Sequence, residues 1–186
     1  RELADYVLEN FADPEGGFSD CKISGNETGS LSLKQKPIQD SPTPNANAVM
    51  ILGLLKLHTL TQTQTYLDHA EKALRFFAQT AHAYGMFAAG FGLALDFYLS
   101  EKTKILITGR KSLDTFNEMH QAALSIYRPN KLVEALDLSE LTHLQDPVLQ
   151  TRLKPFANTE PPKAYICTGT TCRAPVETTE NLIKQM

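Results

Sequence analysis

Two stretches in the first hundred residues are apolar on every side of a helix, and they limit the folds open to this chain. Residues 49–57 show no polar face before Lys56 and His58, and residues 86–99 repeat the pattern. A helix of this kind needs protein on all sides, because water on any side would contact apolar side chains. Both stretches are therefore expected to be buried helices.

Segments that fit amphipathic helices, which are apolar on one side only, alternate with these apolar stretches. Apolar residues recur at helical spacing over residues 2–11 and 65–81, and the second of these segments has a clear polar face. Alternation of amphipathic and buried helices is typical of an α/α toroid, in which an outer ring of helices encloses an inner one. Four helices supply too few partners to close such a ring. The pattern predicts a mainly α fold, with a partial α/α toroid over residues 1–101.

The sequence changes character after residue 101. Residues 104–108 and 131–136 fit strands on either side of a helix over 113–126 with Ser112 as its cap, which is a βαβ unit with parallel strands. The remaining elements are expected to be short helices within 140–154, a strand at 164–167 and a helix at 176–184. Residues 102–186 are therefore predicted to form a small α/β lobe with about three parallel strands. In the first lobe, residues 18–23 fit a short strand.

Composition and charge exclude several classes of function. The net charge of the 186 residues is −3 and the basic residues are dispersed, so we expect no nucleic-acid partner. No apolar run is long enough for a bilayer. Three cysteines fit a reducing compartment, which favours the cytoplasm, and nothing indicates a cofactor or a metal site. The chain begins at Arg1 without Met, so we expect a piece of a longer polypeptide.

An unusually polar, proline-rich approach precedes the first buried helix. It contains Asp40, Thr43, Pro44, Asn45 and Asn47, all near the positive end of that helix. One interpretation is a pocket, since backbone N–H groups and polar side chains at a helix N-terminus bind polyols or anions. The other interpretation, which residue types alone favour, is a helix cap from Thr43 or Asn45 with Asp40 bracing the loop.

Several short motifs occur in a characteristic order along nearly the whole chain. They are Asp13-Pro14-Glu15-Gly16-Gly17-Phe18, Lys36 followed by Asp40-x-x-x-Pro44-x-x-Asn47, Ile105-Leu106-Ile107-Thr108-Gly109, and Ala164-Tyr165-Ile166-Cys167 with Cys172 and Pro175. Together they resemble the C-terminal part of the YyaL-type thioredoxin-domain-containing proteins, which include the spermatogenesis-associated thioredoxin-domain proteins. The chain departs from that pattern at Asn45 and Ala46, where the family usually has Ser-Gly.

The resemblance implies a long protein in which a thioredoxin-like domain precedes a six-hairpin α/α toroid. Such toroids are similar to those of N-acylglucosamine epimerases and certain glycosidases, and their pockets lie at the ends of the inner helices. The resemblance thereby implies a carbohydrate-related protein with part of a sugar or polyol pocket at Asp40 and Asn47, and with Thr43 and Lys36 beside them. An isomerase or glycoside hydrolase reaction in the longer protein is implied by analogy only, with no catalytic residue identified and the fragment inactive alone.

A second cluster of interest is the Cys-x4-Cys segment formed by Cys167 and Cys172. The spacing differs from the Cys-x2-Cys of dithiol redox motifs, and a two-iron cluster needs four ligands where Cys21 is the only other cysteine. A disulfide across a turn and a reduced turn both remain open, and a reducing compartment favours the reduced turn.

The competing hypothesis belongs to a different functional class. It describes the chain as a non-catalytic scaffold or interaction module for a thioredoxin-like domain, with Cys167 and Cys172 as a thiol pair. An isolated fragment with an open toroid face is also expected to cover that face by forming a homodimer.

Overall fold

The computed structural model describes residues 1–22, 34–128, 130–139, 154–156 and 161–186. The chain divides into two compact units, Arg1–Leu99 and Ser100–Met186.

The first unit contains the four predicted helices. Its helices are α1 (Glu2–Phe11), α2 (Ala46–Thr61), α3 (Gln64–Tyr84) and α4 (Ala89–Leu99). The apolar segment predicted as one helix from residue 86 begins with a 3-10 turn, Gly85–Ala88, so α4 is shorter than expected. Helix α2 packs against both α3 and α4. The most deeply buried side chains of this unit include Ile51, Leu54, Phe77 and Phe91.

The expectation that both apolar helices are enclosed on every side is wrong for the described part of the chain. Val49 on α2 is 57% exposed and Leu93 on α4 is 66% exposed. The physical reason is a shortage of partners, because α2 contacts α1, α3 and α4, and none of the described elements covers the side that carries Val49. Closure of these helices into a toroid stays a prediction.

The segment between α1 and α2 is irregular where residues 18–23 were predicted as a strand. Residue 23 lies outside the described residues, and the rest of that segment forms only an isolated bridge from Phe18 to Ala12. The preceding turn requires glycine, because Gly16 and Gly17 have φ values of +114° and +79°. This single bridge does not extend into a ladder, since the N–H of Asp20, two residues after Phe18, donates to the Gln35 carbonyl in a different segment.

The described residues of the second unit form a four-stranded sheet, two α-helices and a 3-10 turn at Lys154–Phe156. Its elements are β1 (Thr103–Gly109), α5 (Asp114–Ser125), β2 (Lys131–Asp137), β3 (Lys163–Thr168), β4 (Thr171–Cys172) and α6 (Thr179–Gln185). The strand order is β2-β1-β3-β4. Strands β1 and β2 are parallel, with Ile105 opposite Val133, which confirms the predicted parallel pair around α5.

The prediction of three parallel strands is wrong. Strand β3 pairs antiparallel with β1, with Ile166 opposite Ile105, and β4 pairs antiparallel with β3. The sheet is mixed because an apolar pattern identifies a strand but carries no information about its direction. Direction depends on which end of the sheet the chain returns to, through a connection that includes residues 140–153, outside the described set. The short helices expected there lie outside it as well.

Helices α5 and α6 cover one face of this sheet. The shared core includes Ile105 and Ile107 of β1, Met119 of α5 and Leu182 of α6. Ser112 does not cap α5, whose N-terminal boundary residue is Leu113 with no side-chain hydrogen bond. Thr178 does cap α6, since its hydroxyl accepts from the Asn181 N–H at 3.2 Å.

Candidate functional site

Asn45 lies in the polar, proline-rich segment before α2 and caps that helix. Its side-chain oxygen accepts a hydrogen bond from the Ala48 N–H at 2.8 Å, as an N-cap residue does. Its side-chain amide donates to the Ile38 carbonyl at 2.7 Å and to Oδ1 of Asp40 at 2.8 Å. Asn45 is buried. The capping interpretation of this stretch therefore matches the geometry at Asn45.

Asp40 braces the approach and reaches a second helix. Its Oδ1 accepts from the backbone N–H of Asn45 at 2.8 Å, in addition to the Asn45 side chain, and its Oδ2 accepts from the Gly90 N–H at 2.6 Å. Its own N–H donates to the Phe87 carbonyl at 2.6 Å. The Asp40 carboxylate is favourably placed beside the first turn of α4, because exposed N–H groups make that end of a helix positive. Asp40 thus ties the start of α2 to the start of α4.

These contacts set the acidity of Asp40. Burial raises the pKa of its carboxyl group, but hydrogen bonds from the N–H groups of Gly90 and Asn45 and from the Asn45 side chain outweigh burial. The net pKa lies below its ordinary value of 3.8. The charged form is therefore the one that stabilises the fold.

The lowered pKa predicts an acid-dependent component of stability. A carboxyl group with a depressed folded-state pKa stabilises the protein fully above its unfolded pKa, and this stabilisation is lost as pH falls below the ordinary value of 3.8 and through the lower folded one. We expect Asp40→Asn to remove this component, giving a shallower fall in the free energy of unfolding with acid. Urea unfolding at a series of pH values measures it. Parallel pH profiles for both proteins would contradict the prediction.

A cleft opens beside Asp40, between α2 and α4. Its volume is about 390 Å³, within the range of ligand pockets. The lining residues are Asp40, Pro42, Thr43, Pro44, Ala48, Val49, Leu52, Ala89, Gly90 and Leu93. Most of them are apolar, and Thr43 is exposed. The cleft therefore offers a largely hydrophobic surface with polar groups at one rim.

Asn47 does not line this cleft. Its side-chain oxygen accepts from the Phe18 N–H at 2.7 Å, and its amide donates to the carbonyls of Phe18 and Pro37, each at 3.0 Å. Only 1% of the residue is exposed. The structure thus places Asn47 as an internal clamp between α2 and the two chain segments before it, away from the position expected for a ligand-orienting amide.

Lys36 is also occupied elsewhere. Its ammonium group donates to the Gly16 carbonyl at 3.0 Å, lies 3.1 Å from Oδ1 of Asp13 and sits 3.7 Å from the centre of the Phe76 ring. Burial raises the pKa of Asp13, and the Glu15 N–H and Lys36 lower it by more. Lys36 therefore fixes the glycine turn. Of the four predicted binding residues, only Asp40 and Thr43 meet at the cleft.

Gly90 is a site residue that the sequence analysis missed. A Cβ atom at this position would lie 2.8 Å from Oδ1 of Asp40 and 3.1 Å from Cβ of Ala48. Only glycine permits this close approach of α4 to the carboxylate. The available signal was a glycine inside an otherwise apolar helix, a feature that often marks a packing or functional reason.

The two cysteines of the predicted Cys-x4-Cys cluster form a disulfide bond. Cys167 and Cys172 face each other across β3 and β4, with their sulfur atoms joined at 1.99 Å. The disulfide interpretation, which sequence reasoning ranked below the reduced turn, is the one present. Direct cross-strand pairing was not readable from spacing alone, because β4 is only two residues long.

The described part of the chain contains neither a cluster of metal-binding side chains nor a membrane-spanning helix. No three His, Cys, Asp or Glu side chains among the described residues are grouped to hold a metal ion. No described helix has the length and apolar character needed to cross a bilayer.

The comparisons with known proteins point to one relative. No family model matches the chain. Spermatogenesis-associated protein 20 from Homo sapiens is 28% identical over 178 residues, covering 94% of this chain and 22% of that protein. The proteins of the same name from Mus musculus and Rattus norvegicus are 29% and 30% identical over 136 residues, 73% of this chain and 17% of theirs. The chain is thus a homologue of one region of spermatogenesis-associated protein 20, spanning about a fifth of these relatives' length.

Proposed function

We propose that residues 1–99 act as a non-catalytic packing module of a longer polypeptide, with the apolar cleft receiving another helix of that polypeptide. The observation that carries this proposal is the exposure of Val49 and Leu93 on the two apolar helices that border the cleft. Apolar surface of this kind costs free energy in water and marks a contact site. The greater length of the relatives supports a partner within the same polypeptide.

The shape and chemistry of the cleft favour a helix as the occupant. Val49 and Leu52 on α2 and Leu93 on α4 present apolar side chains from two neighbouring helices. A groove between two helices receives the apolar stripe of a third, as in helix-in-groove recognition. The unit also gains the partner that its fully apolar helices lack, which is the packing deficit seen in the fold.

Accessibility measurements test this proposal. We expect a cysteine introduced by Val49→Cys or Leu93→Cys, in a Cys21→Ser background, to react with maleimide in the isolated chain. In the longer polypeptide of the proposal, the same cysteine should react with maleimide at least tenfold more slowly. The matched control is Gln79→Cys on the exposed face of α3, which should react equally in both. Equal labelling of Leu93→Cys in the two proteins would overturn the proposal.

A second candidate function is a sugar or polyol pocket in the same cleft, as the resemblance implies. One observation favours it: a carboxylate has about four acceptor positions, and Asp40 uses three, on Asn45 N–H, the Asn45 amide and Gly90 N–H. One acceptor of Asp40 and the exposed hydroxyl of Thr43 therefore remain for ligand hydroxyls. The reaction class, isomerase or hydrolase, is proposed for the longer protein by analogy alone.

Thermal stability in the presence of sugars distinguishes this candidate. A sugar that binds the native state raises the melting temperature, and Thr43→Val should abolish the rise while leaving the Asp40 contacts intact. Ser41→Ala, next to the cleft, is the control. A panel of neutral, amino and phosphorylated sugars without any shift would reject the pocket and leave the packing proposal standing. A cytoplasmic location and a homodimer remain predictions.

A further inference from the structure

The hairpin of β3 and β4 holds its disulfide at the surface. Cys172 is exposed, whereas Cys167 is partly buried in the strand next to β1. The connecting turn has Gly169 at φ +56°, and the Gly169 N–H donates to the Lys102 carbonyl at 3.1 Å. A nucleophile from solvent therefore has access to one sulfur atom of the pair more readily than to the other.

A lysine stands directly opposite the partly buried cysteine. Lys104 of β1 pairs with Cys167 of β3 in the antiparallel register, so the two side chains leave the sheet on the same face. Cβ atoms of such pairs are about 4.5 to 5.5 Å apart. The Lys104 ammonium lies 3.0 Å from a carboxylate oxygen of Glu134, and both side chains are less than one-fifth exposed. Cys167 thus has a partly buried cation, and that cation's acidic partner, on its own face of the sheet.

We propose that Cys167–Cys172 is a thiol–disulfide exchange site, in which an external thiolate attacks Sγ of Cys172 and Cys167 is the leaving group. The incoming sulfur forms a mixed disulfide with Cys172, the Cys167–Cys172 bond breaks, and its electron pair stays on the Cys167 sulfur as a thiolate. With a dithiol reductant, its second thiolate attacks the mixed disulfide. The reductant becomes a disulfide by losing two electrons, and the two cysteines take up protons from water as thiols.

The direction of attack follows from exposure and charge. Cys172 is the more exposed of the two cysteines, which favours attack on its sulfur, and exchange is faster when the leaving thiolate is stabilised. Lys104, the residue opposite Cys167 in the register, supplies a positive charge on the same face of the sheet, which stabilises a negative sulfur there. Glu134 opposes this effect, because its carboxylate neutralises part of the lysine charge. The two residues are therefore expected to act on the exchange rate with opposite signs.

Mapping the mixed disulfide tests which sulfur is attacked. The purified chain is treated briefly with reduced glutathione, quenched with N-ethylmaleimide and cut with trypsin, and fragment ions are read by mass spectrometry. We expect glutathione on Cys172 and maleimide on Cys167 in the majority of single adducts. Glutathione mainly on Cys167 would overturn the proposal, as would three maleimide-reactive thiols in chain treated with oxidised glutathione and not reduced.

Reduction rates test the charge contribution. With dithiothreitol, we expect Lys104→Gln to slow reduction by about three- to fivefold and Glu134→Gln to accelerate it by a similar factor, because a better-stabilised leaving thiolate departs faster. Lys163→Gln is the matched control, because Lys163 lies on the same face of β3, four residues from Cys167, and pairs with Glu177.

The opposite signs separate this mechanism from loss of stability. A variant that merely loosens the hairpin exposes the disulfide and accelerates reduction whichever residue is changed. Faster reduction in both Lys104→Gln and Glu134→Gln, or unchanged rates in both, would therefore overturn the proposal. A slower Lys104 variant and a faster Glu134 variant, with Lys163→Gln unchanged, would support it.

Discussion

Asn47→Ala should lower the free energy of unfolding by about 3 to 5 kcal/mol. The substitution removes three hydrogen bonds at once: it leaves the buried N–H and carbonyl of Phe18 without a partner, together with the part-buried carbonyl of Pro37. A buried donor or acceptor left unsatisfied costs about 1 to 3 kcal/mol. Chemical denaturation monitored by circular dichroism measures the loss.

The effect is large because Asn47 joins segments far apart in sequence. Its bonds to Phe18 span 29 residues, so the clamp holds the glycine turn after α1 against the start of α2. The turn approaches closely at this point, since a Cβ atom on Gly17 would lie 3.2 Å from Oδ1 of Asn47. Without the amide, the turn loses its fixed position on α2 and the packing of Phe18 is lost with it.

Two further variants make this expectation specific. Asn47→Asp keeps an acceptor for the Phe18 N–H but places carboxylate oxygen against two carbonyls, so it should be at least as destabilising as alanine. Asn10→Ala is the control, because the side-chain amide of Asn10 makes a solvent-exposed hydrogen bond to the Tyr6 carbonyl within α1. It should cost less than about 0.5 kcal/mol. Near-wild-type stability of Asn47→Ala would refute the clamp and restore the ligand-orienting role.

Hydrophobic periodicity carried most of the helix and strand assignments. The one-sided pattern of α3 has the 3.6-residue period of a helix, whereas β1 is recognised as a strand by a short run rich in β-branched residues that ends at a glycine. Local patterns fix such elements because the period is written in consecutive residues. Element ends were less accurate, as at Gly85–Ala88, where a 3-10 turn occupies a stretch whose composition is equally apolar.

Features that depend on distant residues were not readable in the same way. The antiparallel direction of β3 depends on how the chain returns to the sheet, which its own apolar residues do not encode. The exposure of Val49 and Leu93 is another case, because burial depends on the number of neighbouring elements and not on the composition of the helix.

In the candidate site too, local features were predictable from the sequence and features that depend on distant residues were not. Residue types showed that polar chemistry is concentrated before α2, and the cap from Asn45 follows from local rules. Asn45 and Asn47 are both buried, and that Asn47 clamps the preceding segments instead of lining the cleft depends on the position of the glycine turn before residue 20. An amide that orients a ligand and an amide that clamps backbone groups have the same sequence signature. Only the three-dimensional partners of Asn47 distinguish them.

Gly90→Ala should destabilise the protein by about 2 to 3 kcal/mol, although alanine is the better helix former. In an open helix position, replacing glycine by alanine gains about 1 kcal/mol. At Gly90, the added methyl group would lie 2.8 Å from Oδ1 of Asp40 and 3.1 Å from the Ala48 side chain. Asp40 cannot withdraw without giving up its bonds to Asn45 and to the Gly90 N–H.

Gly92 provides the matched control two residues further along α4. A Cβ atom there meets nothing within 4 Å, so Gly92→Ala should stabilise by about 0.5 to 1 kcal/mol. The two substitutions are chemically identical and lie on one helix, so opposite signs isolate the contact with Asp40 from helix propensity. Combining Gly90→Ala with Asp40→Ala should recover part of the loss, because the smaller side chain removes the clash. Equal stabilisation by both glycine substitutions would show that Asp40 does not hold α4 at this point.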